Sequence, residues 1–575
     1  MKQATQIKNE ATEKRESVAS ACTNNILKNV QSNNYSKDYI DEQLKLYILA
    51  KFDLLELADT LKCNCDFDKL TQKSIDKAFK LNPKLAKESL RSATCDGAST
   101  LDTKQALLMM AIQNDFNVKL DTMKAALAEN ISELADVLIE AIKKCTGKNC
   151  AVAVMHNENS QDKVAASKKQ NLSCFDYEAL RLQFRALQQE INGHSLVYLD
   201  NAASMQMPQE VIQSITKLRQ GNYSNVHRGT HKLSQLCSDA FDSARMQVAK
   251  FLDVKEEELI FTYGTSDGLN KAARMLNNKL GKKSNIVITE MEHHSNLLPW
   301  MNLAKEKSCE LRIIPVLEDG TLNIESANEI IDENTAILSF TQLSNVSGIS
   351  IPHQKLTSIA RKKSDAIIII DGAQGVVHAC HKPKELDCDM YAFSGHKLGS
   401  LAGVGALWVK SELLKTLQPC TFGGGTVEDV TTSSFILRNG IERFEPGTPP
   451  IDGAISLAAA INFWTLIDED SRINHEQKLM DKIQSGLEEI PKIKIFGRSS
   501  ERIGAISFVV DGMSSYKCAQ ILDSYGIAVR SGRHCAQPYL NSLGFDSIVR
   551  ASIACYNSFE DIDKFLNVLI SICKN

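Results

Sequence analysis

No uninterrupted apolar run in this chain approaches the roughly 20 residues that a membrane-spanning helix needs, so no membrane partner is expected. An excess of charge of either sign is also missing. Lys and Arg number 66 against 70 Asp and Glu, a formal net charge of −4. That balance gives no electrostatic reason to expect nucleic acid or an anionic lipid surface. Residues 1–10 lack the apolar core of a secretory signal, and the acidic character of the N-terminus speaks against a transit peptide; a cytoplasmic protein is expected. The 16 cysteines lack pairing: the close spacings, Cys63 with Cys65 and Cys145 with Cys150, have no matching second half. Neither a metal site nor a disulfide scaffold follows, and free thiols in a reducing compartment are the simpler reading. Glycine and proline are scarce before residue 150, which removes turns from that region and favours helix.

What is present suits a soluble multidomain protein. At 575 residues the chain is too long for one ordinary core, and 43% hydrophobic with 24% charged residues is a globular composition. Residues 1–150 read as an all-α domain, with apolar positions three and four apart over 38–50, 105–116 and 129–142. Residues 106–116 and the helix after them faintly resemble the second half of an acyl carrier protein. Asp102, however, stands where a carrier needs its serine, so a helical interaction or structural domain is the expected role. Residues 151–174 are polar and mixed, a linker. From 175 to 460 short apolar runs (286–289, 336–340, 366–370) alternate with helical stretches, which implies an α/β fold with a parallel sheet covered on both faces. Residues 461–575 read as a smaller α+β domain closing over the first.

The chemistry centres on Ser394-Gly395-His396-Lys397, which follows the apolar run 391–393. A lysine on a loop at a strand end is partly desolvated; that lowers its pKa and frees the amine to form a Schiff base. One αβ unit upstream, four isoleucines (367–370) lead into Asp371, a carboxylate at the end of a buried strand. Such a pair suits pyridoxal phosphate: the aspartate holds a proton on the pyridine nitrogen and the lysine carries the aldehyde. Tyr263-Gly264-Thr265-Ser266 follows a strand and opens a helix, a setting that binds phosphate.

The order of these motifs resembles the fold-type I pyridoxal-phosphate enzymes, and more narrowly the class II (SUF-type) cysteine desulfurase and selenocysteine lyase family, from about residue 175 to the C-terminus. The segments that carry the resemblance are 198–203, 226–229, 291–296, 394–397, 530–535 and 550–552. The resemblance implies that Lys397 holds the cofactor and moves the substrate's α-proton, that Gln374 meets the phenolic oxygen, and that His293, rather than His294, stacks on the ring. It places Thr265, Ser266, Ser394 and His396 at the phosphate, with Ser266 in place of the family's usual second threonine. Gly447-Thr448 would reach the phosphate from a second subunit, making a homodimer. Arg550 would bind the substrate carboxylate, Asn345 would sit near substrate and ring, and His227 and Arg530 would line the mouth.

Cys535 selects the reaction. Beside Arg530, Arg533 and His534 its thiolate is expected to be favoured. In the family this cysteine takes the sulfur of L-cysteine as a persulfide and passes it to a sulfur-acceptor protein, for iron–sulfur clusters or other carriers; L-selenocysteine is a variant substrate that depends less on the cysteine. The rival enzyme reading, an aminotransferase or kynureninase-like hydrolase, leaves Cys535 without a task. A non-enzymatic reading gives residues 1–172 a separate role as an acceptor-docking module, which raises effective concentration without new chemistry.

Overall fold

The computed structural model describes residues 138–139, 177–378, 381–497 and 502–574. Apart from the helical pair Leu138 and Ile139, the expectations for residues 1–150, the carrier-like stretch, the linker and the spaced cysteine pairs lie outside the described residues. The chain divides into two units, residues 1–180 and 181–575, and the second carries everything below.

Seven short strands form the main sheet: β1 (Leu259–Thr262), β2 (Asn285–Thr289), β3 (Glu310–Ile314), β4 (Thr335–Thr341), β5 (Ile367–Asp371), β6 (Met390–Ser394) and β7 (Gly405–Val409). Their order is β1-β7-β6-β5-β4-β2-β3. From β6 to β3 every pairing is parallel, and β7 runs antiparallel to β1 and β6. The central strands are continuous apolar runs because both faces are covered. Helices α1 (Gln209–Lys217) and α2 (Lys232–Phe251) precede the sheet in sequence. On one face of it Ile286, Ile288, Ile337, Ile369, Ala392 and Leu407 pack against helices α3 (Thr265–Met275) and α4 (Leu298–Lys307) through Leu269, Trp300 and Leu303. A longer helix, α5 (Ile451–Thr465), lies against β7 and the turn after β6.

The second core belongs to an antiparallel sheet of β8 (Ile493–Ile495), β9 (Ala505–Val510), β10 (Arg530–Gly532) and β11 (Ile548–Ser552), in the order β8-β9-β11-β10. Helices α6 (Glu469–Glu488), α7 (Ser515–Ser524) and α8 (Phe559–Lys574) cover it with Leu479, Ile483, Leu522, Phe565 and Leu569. Val197 and Leu199, which precede the large sheet in sequence, are buried in this core, and Val197–Tyr198 pairs parallel with Ile527–Ala528. The chain therefore runs through the small domain before it builds the large one. Among the described residues no single helix is long and apolar enough to cross a membrane.

Parallel strands leave their carboxyl ends on one side of a sheet, and ligands of open α/β folds bind there. Asp371 ends β5, Ser394 ends β6, and the segment carrying His293 follows β2.

Candidate active site

Lys397 sits in a tight turn, Gly395–Leu398, directly after β6. Gly399 ends that turn at φ +80°, where a side chain would lie 2.8 Å from the Gln206 carbonyl, so glycine is required there. Burial brings the Lys397 amine down to about 8, against an opposing pull from Asp371. Asp371 is 3% exposed, and burial raises its pKa while the Ala373 N–H, donating at 2.9 Å, and Lys397 oppose the rise. A desolvated amine and a desolvated carboxylate thus face each other across one site.

His293 accepts a hydrogen bond at Nδ1 from the Ser295 N–H (3.0 Å), which places a neutral ring's proton on Nε2. Burial, with Lys397 beside it, holds this imidazole near 3, so it is neutral at physiological pH. At the start of α3, the Thr265 N–H and hydroxyl both meet the Ser394 hydroxyl at 2.7 Å, and Ser266 meets the Ser295 hydroxyl at 2.6 Å. Gly264 precedes them at φ +137°, with 3.1 Å between a notional Cβ and Ser394 Oγ, so at this position only backbone borders the cradle. His396 reaches the Ser204 hydroxyl at 3.4 Å and is held near 4 by burial and Lys397. Gln374 Nε2 donates to the Ala202 carbonyl at 2.8 Å, which fixes the amide's direction.

Across the site, Arg550 on β11 is 2% exposed and lies opposite Arg530 on β10. Its Nη1 donates to the Asn345 carbonyl (3.1 Å), its Nη2 to Asp200 (3.0 Å), and its buried Nε has no partner. Asn345 in turn donates from its side chain to the His534 carbonyl at 3.0 Å, and the His294 N–H donates to the Cys535 carbonyl at 2.6 Å. Both His534 (φ +49°) and Cys535 (φ +54°) take the left-handed conformation unfavourable to non-glycine residues. Cys535 is exposed at the tip of this tied turn. Its thiol lies near enough to act on the charges of both Lys397 and Arg530.

One expectation changes. His534 was to help activate Cys535 as a cation, but burial and Arg550 hold it near 3 and its Nε2 meets the Ile548 carbonyl at 3.2 Å; it anchors the turn as a neutral ring. The His227 ring packs edge-on to Phe241 and lies 3.6 Å from Asp242 on the helix Lys232–Phe251. Thr448 is exposed at the surface, while Glu445 before it is locked to Arg245 at 2.7 Å and to the Phe261 N–H at 2.6 Å, which fixes where that segment leaves the fold.

Two carboxylates had no assigned role from sequence. Asp200 accepts from both Arg530 and Arg550. Glu292, just before His293, is buried and accepts from Thr289, from Asn296 at 2.6 Å and from the Thr341 N–H at 3.1 Å. An acidic residue directly after an apolar pair (Tyr198-Leu199) was a signal for the first; nothing in the local sequence marked the second.

The donor set fits pyridoxal phosphate: an amine opposite a buried carboxylate, a neutral imidazole, and hydroxyls around a helix start whose glycine leaves room for an anion. The comparisons agree. The aminotransferase class-V family profile matches residues 197–565. A cysteine desulfurase of Salmonella agona is 39% identical over 401 residues, 69% of this chain and 98% of that protein. The apo cysteine desulfurase of Thermococcus onnurineus has a TM-score of 0.65 at 35% identity, covering 68% of this chain and 98% of that one. Escherichia coli CsdA, also a cysteine desulfurase, gives 0.65 at 30% identity, covering 70% and 99%. With a buried amine–carboxylate pair, an exposed cysteine, and relatives alike over nearly their whole length, the chain belongs to the aminotransferase class-V family, as a pyridoxal-phosphate-dependent cysteine desulfurase.

Proposed function

We propose that Cys535 is the sulfur-accepting nucleophile of this desulfurase and Lys397 its cofactor-holding base. Pyridoxal phosphate, when bound, supplies an electron sink for negative charge at the substrate α-carbon. Lys397 would hold its aldehyde carbon and later take the α-proton, a task suited to an amine with a pKa of about 8. Asp371 would keep a proton on the ring nitrogen, Gln374 would meet the phenolic oxygen, and His293 would lie over the ring with Nε2–H available to donate. Thr265, Ser266, Ser394 and His396 would receive the phosphate. Arg550 would take the substrate carboxylate, with Asn345 fixing the guanidinium. The Cys535 thiolate then attacks the cysteine sulfur: an S–S bond forms, the C–S bond breaks, and its electron pair returns to carbon. Protonation of that β-carbon, and return of a proton from Lys397 to the α-carbon, gives alanine.

The observation that carries this reading is the Cys535 turn, tied through His294 and Asn345 to the segments bearing His293 and contacting Arg550. Cys535→Ser and Lys397→Ala are both expected to abolish steady sulfide and alanine production from cysteine. Unimpaired turnover by Cys535→Ser would contradict the reading.

A persulfide on a short, tied turn favours transfer to a dedicated acceptor protein, with iron–sulfur cluster or other sulfur-carrier synthesis as the use. Selenocysteine is a second candidate substrate, since selenium leaves more readily and depends less on the thiol; Cys535→Ser should then retain selenocysteine turnover. The exposed Gly447-Thr448 segment, anchored by Glu445, supports a homodimer in which Thr448 serves the partner's phosphate site. Residues 1–172 are assigned acceptor docking, and the protein a cytoplasmic location.

A further inference from the structure

A carboxylate binds a guanidinium best along the Nε–Nη2 edge, through two parallel bonds. Arg530 shows that geometry: its Nε lies 3.2 Å from Asp200 Oδ1 and its Nη2 2.9 Å from Asp200 Oδ2. The same edge of Arg550 is half used. Nη2 lies 3.0 Å from Asp200 Oδ1, while Nε is buried with no partner. One carboxylate therefore spans two arginines that stand directly opposite each other on β10 and β11.

Asp200 is fixed in backbone and free in side chain. Its main chain bridges Ser552, and the next residue, Asn201, donates from its side chain to the Ser552 carbonyl at 2.8 Å. A side-chain rotation alone would release Arg550 and leave Asp200 on Arg530, whose side chain is 52% exposed and already binds it through two donors.

We propose that Asp200 is a resident carboxylate that occupies half of the Arg550 fork until an α-carboxylate displaces it onto Arg530. Asp200 is then a positioning residue that sets how tightly amino-acid substrates and products are held, and Arg530 acts as its alternative partner. The inference rests on the reading of Arg550 as the carboxylate site. It explains why a guanidinium so deeply buried keeps an unused donor: the donor waits for a ligand that brings its own negative charge.

The test uses the cofactor-loaded enzyme, with L-alanine binding read from the absorbance of the bound cofactor, KM and kcat for L-cysteine, and cysteamine as a carboxylate-free probe. Asp200→Asn is expected to tighten alanine binding and lower the cysteine KM by about tenfold, the scale of one charge-assisted hydrogen bond. Little change in kcat and no change with cysteamine are expected. Arg530→Ala should weaken alanine binding, and adding Asp200→Asn should restore it; if Arg530 bound the ligand itself, the double variant would stay weak. Asp200→Ser repeats the test if the asparagine variant folds poorly. Unchanged or weaker alanine binding in both Asp200 variants overturns the proposal, as does equal tightening for cysteamine. If Arg550→Lys left alanine binding untouched, the fault would lie with the Arg550 reading instead.

Discussion

At the scale of single residues, burial sets the charges of this site more than any partner does. Lys397 and Asp371 are both moved toward neutrality by desolvation, and His293 and His534 are both held near 3. Glu292 is the extreme: burial lifts it from 4.5 to about 8, despite hydrogen bonds from Thr289, Asn296 and Thr341 that favour the anion. Thr341 pairs in register with Asp371, so the two carboxylates lie on neighbouring paths beneath the site. At neutral pH Glu292 is mainly a neutral acid, which spares Asp371 a second negative charge. Between pH 4.5 and 8 the folded chain keeps a proton there that the unfolded chain has lost, so stability falls as pH rises through that window. Glu292→Gln should flatten the decline, as read from urea midpoints across pH; an unchanged slope would contradict it. Lys397→Ala is expected to remove the lysine-bound cofactor absorbance and cut cysteine turnover by about 10³-fold or more. Lys397 and Asp371 were legible because strands of apolar residues point to them. Glu292 was not, because its partners come from β2, β4 and the turn beyond, and only the fold brings them together.

At the scale of elements, what was legible follows from burial on two faces. The runs at 286–289, 336–340 and 366–370 became β2, β4 and β5 because only continuous apolar strands suit a sheet covered on both sides. Strand β10 was not legible: Arg530–Gly532 has no apolar residue and owes its place to pairing with β11. The same pairing sets Arg530 against Arg550 and so creates the need for Asp200. The loop that carries Asn345 depends on Gly348, at φ +68°, where a side chain would lie 2.2 Å from the Ala505 carbonyl. Gly348→Ala should cost about 1–3 kcal/mol or more, from left-handed strain plus the clash. Denaturant unfolding measures the loss, and the cysteine turn should lose order with it because Asn345 holds the His534 carbonyl. Full stability and full turnover in that variant would show that the loop is not the strut assigned to it.

At the scale of the whole molecule, the domain described here is closely matched in extent to free-standing relatives, which it covers to 98% of their length. Residues 1–172 are therefore additional to the catalytic module. Their spacing predicts helices, and spacing carries no information about a partner. Removing residues 1–172 should leave basal turnover of cysteine unchanged and weaken only the turnover stimulated by a sulfur acceptor; equal stimulation with and without them would exclude docking. The proposed homodimer rests on the resemblance, not on any pattern within the chain. His227 turns toward Phe241 and Thr448 is exposed within one chain. A residue that serves a neighbouring subunit leaves no trace in its own chain's contacts. Thr448→Val in a homodimer should weaken cofactor retention, and a monomer by light scattering would contradict that assignment.

The central claim is that Cys535 takes the sulfur. Its most direct test is intact and peptide mass analysis of the cofactor-loaded enzyme after L-cysteine is added without reductant. The account predicts one added sulfur atom, located on the peptide containing Cys535, removed by reductant and missing from Cys535→Ser. Alanine formation with no added sulfur on that peptide, or with sulfur on another cysteine, would contradict it.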